Sequence, residues 1–202
     1  MRALVTFSLT LALACVAACH LDYRGGARPI SGADLQTTAW VHAAPTPVVR
    51  QLAESDCGLA ALAMMAGAWG HAWGMGDLTH RIHPTDAGVP LGALRDLARE
   101  RGLDAYAIAG THTDLEHELG AGRPVLLGLV LPFDRQHNRS HFEVAIALDK
   151  ADGSVVTIDP ATGDMLRRTA KVLDLEWKTA GYAALVVVAD HARPASVVGV
   201  TP

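Results

Sequence analysis

Cysteine is scarce in this 202-residue sequence: Cys15, Cys19 and Cys57 are the whole supply. So few thiols cannot build the disulfide framework of a small secreted scaffold, and the fold must rest on a hydrophobic core. Long runs of one charge are also lacking, because 17 basic and 21 acidic residues are spread along the chain and leave a formal net charge of -4. With neither a polybasic face nor an acidic tail, nucleic acid is not expected as a partner. The ten histidines stand mostly singly, without the paired Cys or His spacing that closes a structural zinc site. No metal and no cofactor are therefore expected. Internal repeats and low-complexity tracts are missing too, and the apolar run Ala3 to Ala18 is too short for a comfortable membrane span.

What is present is hydrophobic bulk, half of the residues, enough at this length to bury one proper core and to form a single domain. Arg2 followed by the run Ala3–Ala18 reads as an export signal spanning residues 1–18. The run ends in Val16, Ala17, Ala18 and Cys19, which resembles the bacterial lipobox, with Cys19 lipidated and made the mature amino terminus. Cys15 is a weaker candidate, and an ordinary secretory cleavage after Ala18 is the plainer alternative. A lipidated Cys19 would hold a soluble domain on a membrane by its acyl chains. His20 stands where an inner-membrane retention signal usually shows Asp, so the outer membrane facing the periplasm is the expected location in a host with two membranes. Once the signal and the lipidated residue are set aside, one thiol remains, that of Cys57. An unpaired thiol exported to an oxidising compartment is a liability unless it is buried or useful.

Residues 19–47 are rich in Gly, Ala, Pro and Thr and read as a tether to a domain over 48–189, with an irregular tail over 190–202. From Cys57 to Trp69 almost every residue is apolar or small, which predicts a buried central helix opened by Ser55 or Asp56. Leu91, Leu94, Leu97 and Ala98 fall on one face of a second, amphipathic helix closed by Gly102. A short helix around Asp77 to Arg81, a strand over Ala105–Ala109 and a helix over Thr113–Leu119, boxed by Thr113 and Glu116, are also predicted. The character then changes: Pro124–Leu131, Phe142–Leu148, Val155–Ile158 and Tyr182–Val188 are Val-, Ile- and Leu-rich runs of strand length between turn signals. Helices first and strands second predict an α+β domain with a helical layer on an antiparallel sheet.

A thiol is nucleophilic only as thiolate, and a helix amino terminus favours that form through its free N–H groups and positive dipole end. Cys57 opens the central helix, although a small buried hydrophobe would fit there as well. Gln51, six residues upstream, could supply a carboxamide donor that joins the Cys57 backbone N–H in an oxyanion hole. His141 starts the strand run after a polar loop and is the best candidate base, with His137 in the loop as runner-up. Asp159 ends the next run just before Pro160, nearly level with His141 when counted back from the Asp152-Gly153 turn, where it could hold the ring in one tautomer. Read alone, an Asp-Pro pair is simply a turn.

The segment Gln51-Leu-Ala-Glu-Ser-Asp-Cys-Gly-Leu-Ala-Ala-Leu-Ala-Met-Met-Ala-Gly-Ala-Trp-Gly70 resembles the opening motif of the peptidase C39 family, papain-like domains best known for removing leader peptides after a double-glycine motif. Leu91–Gly102, Arg123-Pro124-Val125-Leu126, His141-Phe142-Glu143-Val144, Thr157 to Gly163 and Trp177–Val188 resemble its later motifs in the same order. The resemblance implies a papain-like fold, with Cys57 as nucleophile, His141 as base, Asp159 as its orienting partner and Gln51 on the oxyanion side. It implies a cysteine endopeptidase cutting after a small residue in an exported protein or leader peptide. A peptide-binding module of the same fold that does not cut is the alternative. Family members fused to transporters work in the cytosol, whereas the signal read here points to export, so secretion-system components join a protein or peptide substrate as expected partners.

Overall fold

The computed structural model describes residues 24–37, 39–132 and 138–190. The signal segment 1–18, the lipidation candidate Cys19, His137 and the tail beyond residue 190 lie outside the described residues. Helix α1 (Cys57–Ala68) is the centre of the domain, for every residue from Cys57 to Ala66 is buried. A helix with no polar face is stable only when surrounded, and each fully buried Leu or Met contributes about 1.5–3 kcal/mol. Helices α2 (Met75–Arg81) and α3 (Leu91–Glu100) lie beside it, α3 burying Leu94, Leu97 and Ala98 as its periodicity predicts.

Among the described residues the sheet has eight strands: β1 (Arg28–Pro29), β2 (Trp40–His42), β3 (Leu103–Ala109), β4 (Val125–Pro132), β5 (Asn138–Asp149), β6 (Val155–Ile158), β7 (Met165–Arg168) and β8 (Ala183–Asp190). Its order is β1-β7-β6-β5-β4-β8-β3, with β2 added to β5, and every pair is antiparallel. Strand alternation sorts the side chains to two cores. Leu126, Val144, Leu185 and Val187 pack with α1 and α3, whereas Val125, Leu127, Leu129, Ala145 and Val186 pack with α4 (His112–Gly120) and α5 (Ala170–Thr179). Helices therefore cover both faces of the sheet, and α5 is an addition to the sequence reading. The cap of α4 also differs: Thr111 and Asp114 form the capping box, two residues earlier than Thr113 and Glu116. Asp56 sits at the start of α1, but its carboxylate accepts the Ala53 N–H at 3.0 Å instead of capping the helix.

The expected tether is corrected over residues 24–37 and 39–47, which lie against the domain. Arg28–Pro29 pairs with β7 and Trp40–His42 with β5. Leu35 and Trp40 are buried against Ala147 and Val156, and Arg167 stacks over the Trp40 ring at 5.4 Å. Strands of two and three residues are too short for periodicity to reveal, so composition alone made this segment look like a linker. Residues 24–47 are here called the strap.

Two features of β5 prepare the site. Strand β6 pairs with it only from Val144 to Leu148, so the edge over residues 138–143 is left for other partners. The β5–β6 register slips between Ala145 and Ala147, making Ile146 the extra residue of a bulge. Without the slip, Asp159 would stand level with Val144 and on the opposite face from His141. With it, Asp159 stands beside Glu143, two residues along from His141 and on its face.

Candidate active site

The tight helical turn Glu54–Asp56 and the mouth of α1 fill the edge of β5 that β6 leaves open. Arg139 of β5 pairs with Glu54 of that turn. Cys57 lies on this line, 7 % exposed, and the backbone N–H groups of Phe142 and Gly58 are directed to its sulfur. Close approach depends on two glycines. A Cβ on Gly58 would lie 3.1 Å from Phe142 Cδ2, and one on Gly128 of β4 would lie 3.2 Å from Phe142 Cε1. The Phe142 ring is thus wedged between the helix that carries Cys57 and the neighbouring strand.

His141, also 7 % exposed, follows in sequence before Phe142 and faces Asp159, which is 1 % exposed. Its Nε2 donates to Asp159 Oδ1 over 2.7 Å, because an ionised carboxylate can only accept. That leaves Nδ1 for the sulfur. Asp159 is fixed in turn by the Ala161 N–H at 2.8 Å and the Thr162 hydroxyl at 3.2 Å. The turn that Asp-Pro was expected to make is therefore present and also holds the carboxylate in place.

The electrostatics follow from these contacts. Burial works to raise the Cys57 thiol, but hydrogen bonding and charge from His141 outweigh it and bring the thiol below its ordinary value. Burial opposes the imidazolium likewise, yet Asp159, Cys57 and the charge of Glu143 push His141 up to about 10. Asp159 is held below the usual carboxylate range, burial being overcome by His141 and the N–H of Ala161. The stable pair is thiolate and imidazolium, the form in which a cysteine is a nucleophile.

Gln51 is placed differently from the expectation. Its backbone N–H donates to Pro160 O at 2.9 Å, tying the chain before α1 to the Asp159 turn. Its side-chain nitrogen donates to Ala53 O at 3.0 Å and more weakly to Glu54 O at 3.4 Å, and Oε1 is buried without a partner. In this state the carboxamide braces the Glu54–Asp56 turn. Of the other histidines, His80 and His83 are exposed, while His71 is held 2.9 Å from Asp190.

A cleft of about 870 Å³ opens beside Cys57 and His141, bounded by Glu54, Asp86, Gly128, Arg139 and Ala183 among others. Beneath it lies a group that the sequence reading did not assign. Glu143, Thr157, Arg168 and Glu176 are all buried, Arg168 binding Glu143 through two nitrogens at 2.6 and 2.7 Å and Glu176 through Nε at 2.7 Å. The one available signal was a glutamate inside the apolar run Phe142–Leu148. Donor atoms of His141, Glu143 and Asp159 come within 4.8 Å of one another, a spacing a cation could bridge. Each donor already has its partner, and a cation bound there would face the Arg168 guanidinium, so the set reads as an ion and hydrogen-bond network.

Fold and site together define the class: an α+β domain of papain-like architecture, with a cysteine at a helix mouth and a histidine–aspartate pair on the sheet. The chain belongs to the peptidase C39 family, whose model matches residues 45–190. No curated protein matches it. Among solved structures, a putative C39-like peptidase from Bacillus anthracis is similar at 21 % identity and a TM-score of 0.61, covering 75 % of this chain and 98 % of its own. A double glycine motif protease from an AMS/PCAT transporter, solved in complex with the leader peptide, is similar at 19 % identity and a TM-score of 0.57, over 72 % of this chain and 93 % of its own. The peptidase domain of Streptococcus ComA, a bifunctional ABC transporter involved in quorum sensing, is similar at 17 % identity and a TM-score of 0.58, over 71 % and 98 %. At these identities the likeness is one of fold.

Proposed function

We propose that the chain is a cysteine endopeptidase that cuts an exported protein or leader peptide after a small residue, Gly or Ala, from a lipid-anchored position. The observation that carries this reading is the buried His141–Asp159 hydrogen bond of 2.7 Å beside a thiol whose pKa is lowered at the mouth of α1. In the proposed cycle the Cys57 thiolate attacks the peptide carbonyl, and the oxyanion forms toward the Cys57 N–H and Gln51. The His141 imidazolium gives its proton to the leaving amine, leaving a thioester. Water then attacks the thioester while neutral His141 takes its proton, and the acid product leaves as the thiolate–imidazolium pair is restored.

The preference for a small residue is supported by the fold shared with a double glycine motif protease bound to its leader peptide. Lipidation at Cys19 and a place on the outer membrane facing the periplasm are supported by the sequence alone, as is a role beside secretion components. The test uses peptides with Gly-Gly or bulky residues before the scissile bond. Cleavage after Gly-Gly by the wild type and none by Cys57→Ala is the expected result. Equal turnover by Cys57→Ala would overturn the mechanism, and a Cys57 with ordinary thiol reactivity would leave a binding module instead.

A further inference from the structure

We infer that Glu143 is a positioning residue for His141, and that the strap, through Gly26, belongs to the apparatus that holds Glu143 in place. This rests on the thiolate–imidazolium reading of the site. Glu143 is fully buried on β5, two residues from His141 and on the same face. Both of its oxygens are taken by Arg168, and the Thr157 hydroxyl donates to one of them. Arg168 reaches on to Glu176 Oε2 at 2.7 Å, and Glu176 Oε1 accepts the Gly26 N–H at 2.7 Å. One unbroken chain of hydrogen bonds therefore runs from the strap to the residue beside the proposed base.

The fold alone does not call for this arrangement. Two carboxylates and one guanidinium without solvent cost several kcal/mol of desolvation, and apolar residues of like volume often serve stability as well or better. The triad of Glu143, Arg168 and Glu176 sets two carboxylates against one guanidinium, and a Glu143 oxygen comes within 4.8 Å of a His141 ring nitrogen. Beside Asp159, it gives the imidazolium a second anion, and its charge adds to the upward push on His141 against the opposing effect of burial. Among the described residues, the titratable groups that act on the ring are Asp159, Cys57 and Glu143. Strands β4 and β6 carry no titratable side chain, α1 offers only Cys57, and His42 of β2 pairs at the far end of β5. Arg139 is turned to Glu54, and Glu118 of α4 to Arg123.

The strap is fitted to this purpose. Gly25 has φ of +58°, and a Cβ there would stand 2.3 Å from Glu176 Oε1. A Cβ on Gly26 would stand 2.6 Å from Val172 Cγ1, so only glycine lets the backbone come close enough to donate. Both residues precede the segment matched by the family, so this support is supplied from outside it.

The test is the titration of the His141 ring, read by NMR in the full chain with labelled histidine. In Glu143→Gln, which keeps size and some bonding to Arg168, the His141 midpoint should fall by about one unit or more, the effect of one charge at this range in a protein interior. In Gly25→Ala the lifted strap admits water to Glu176 and screens the triad, so a smaller fall is expected. A folded Glu143→Gln with an unmoved midpoint overturns the inference, since a purely structural role would change melting and leave the titration alone. Should Glu143→Gln not fold, Gly25→Ala decides, and an unmoved midpoint there is equally fatal. Failure of the underlying reading looks different: Cys57→Ala would then leave the wild-type His141 midpoint unchanged.

Discussion

His141 Nε2 lies 2.7 Å from Asp159 Oδ1 because Ile146 bulges out of β5 and brings the aspartate onto the histidine's face. The carboxylate has two separable duties here, orienting the ring and stabilising its charge. Asparagine at 159 would keep an acceptor for Nε2 and for the Ala161 N–H, whereas alanine keeps neither. Asp159→Ala is therefore expected to lower kcat by roughly 100-fold or more, and Asp159→Asn, which keeps the acceptor, by less. If the two variants were equally slow, charge rather than orientation would be the duty that matters, and steady-state kinetics on one peptide would show it.

The same couple makes a prediction about stability against pH. His141, raised from 6.5 to about 10, contributes stability that is complete below 6.5 and lost as the pH climbs through about 10. Cys57, lowered from 9.0, contributes stability that is complete above 9.0 and lost as the pH falls through its lowered value. Where these windows overlap, the folded pair holds one proton as imidazolium and the unfolded pair holds one as thiol, so the slopes cancel. Urea midpoints should change little through the overlap and decline above pH 9.0, where the unfolded thiol loses its proton while the folded imidazolium keeps its own up to about 10. Cys57→Ala removes one slope and should turn the plateau into a decline that starts near 6.5.

The strap gives a prediction of fold rather than chemistry. Trp40 is 9 % exposed and closes a small core with Leu35, Ala147 and Val156. Trp40→Ala should cost about 3 kcal/mol, the low end for a large aromatic side chain near a rim, and lower the melting temperature accordingly. A loss within the few tenths of a kcal/mol typical of linker substitutions would show that the strap is a tether after all.

What the sequence disclosed, and what it hid, follows from range. Helix α1, helix α3 and the core strands were legible because their apolar residues repeat at local periods. The near-level placement of His141 and Asp159 was legible to within a residue or two, since the Asp152-Gly153 turn sets the count. The final residue of that count was not legible, because Ile146 carries no Gly or other mark of a bulge. Arg168 carries no local mark of burial in the sequence, and only its distant partners Glu143 and Glu176 make it a core residue. The strap strands were hidden for the same reason: what stabilises them lies more than a hundred residues away in β5 and β7.

Gln51 offers the sharpest test of the catalytic proposal, because its observed duty and its proposed duty predict different losses. As a brace it makes one good hydrogen bond to Ala53 O and one long contact to Glu54 O, and removing them should cost about 1 kcal/mol of stability. As an oxyanion donor it would turn the N–H of the 3.4 Å contact toward the developing charge, and losing that donor costs ~100 to 1,000-fold in kcat. Gln51→Ala should therefore remain folded and lose turnover out of proportion to stability, with little change in KM. Gln51→Glu has the same shape but no N–H, and it sets a carboxylate against two carbonyl oxygens, so it should be slower still and less stable than the alanine variant. Full turnover in Gln51→Ala would confine this residue to bracing the turn and leave the Cys57 N–H in need of another partner.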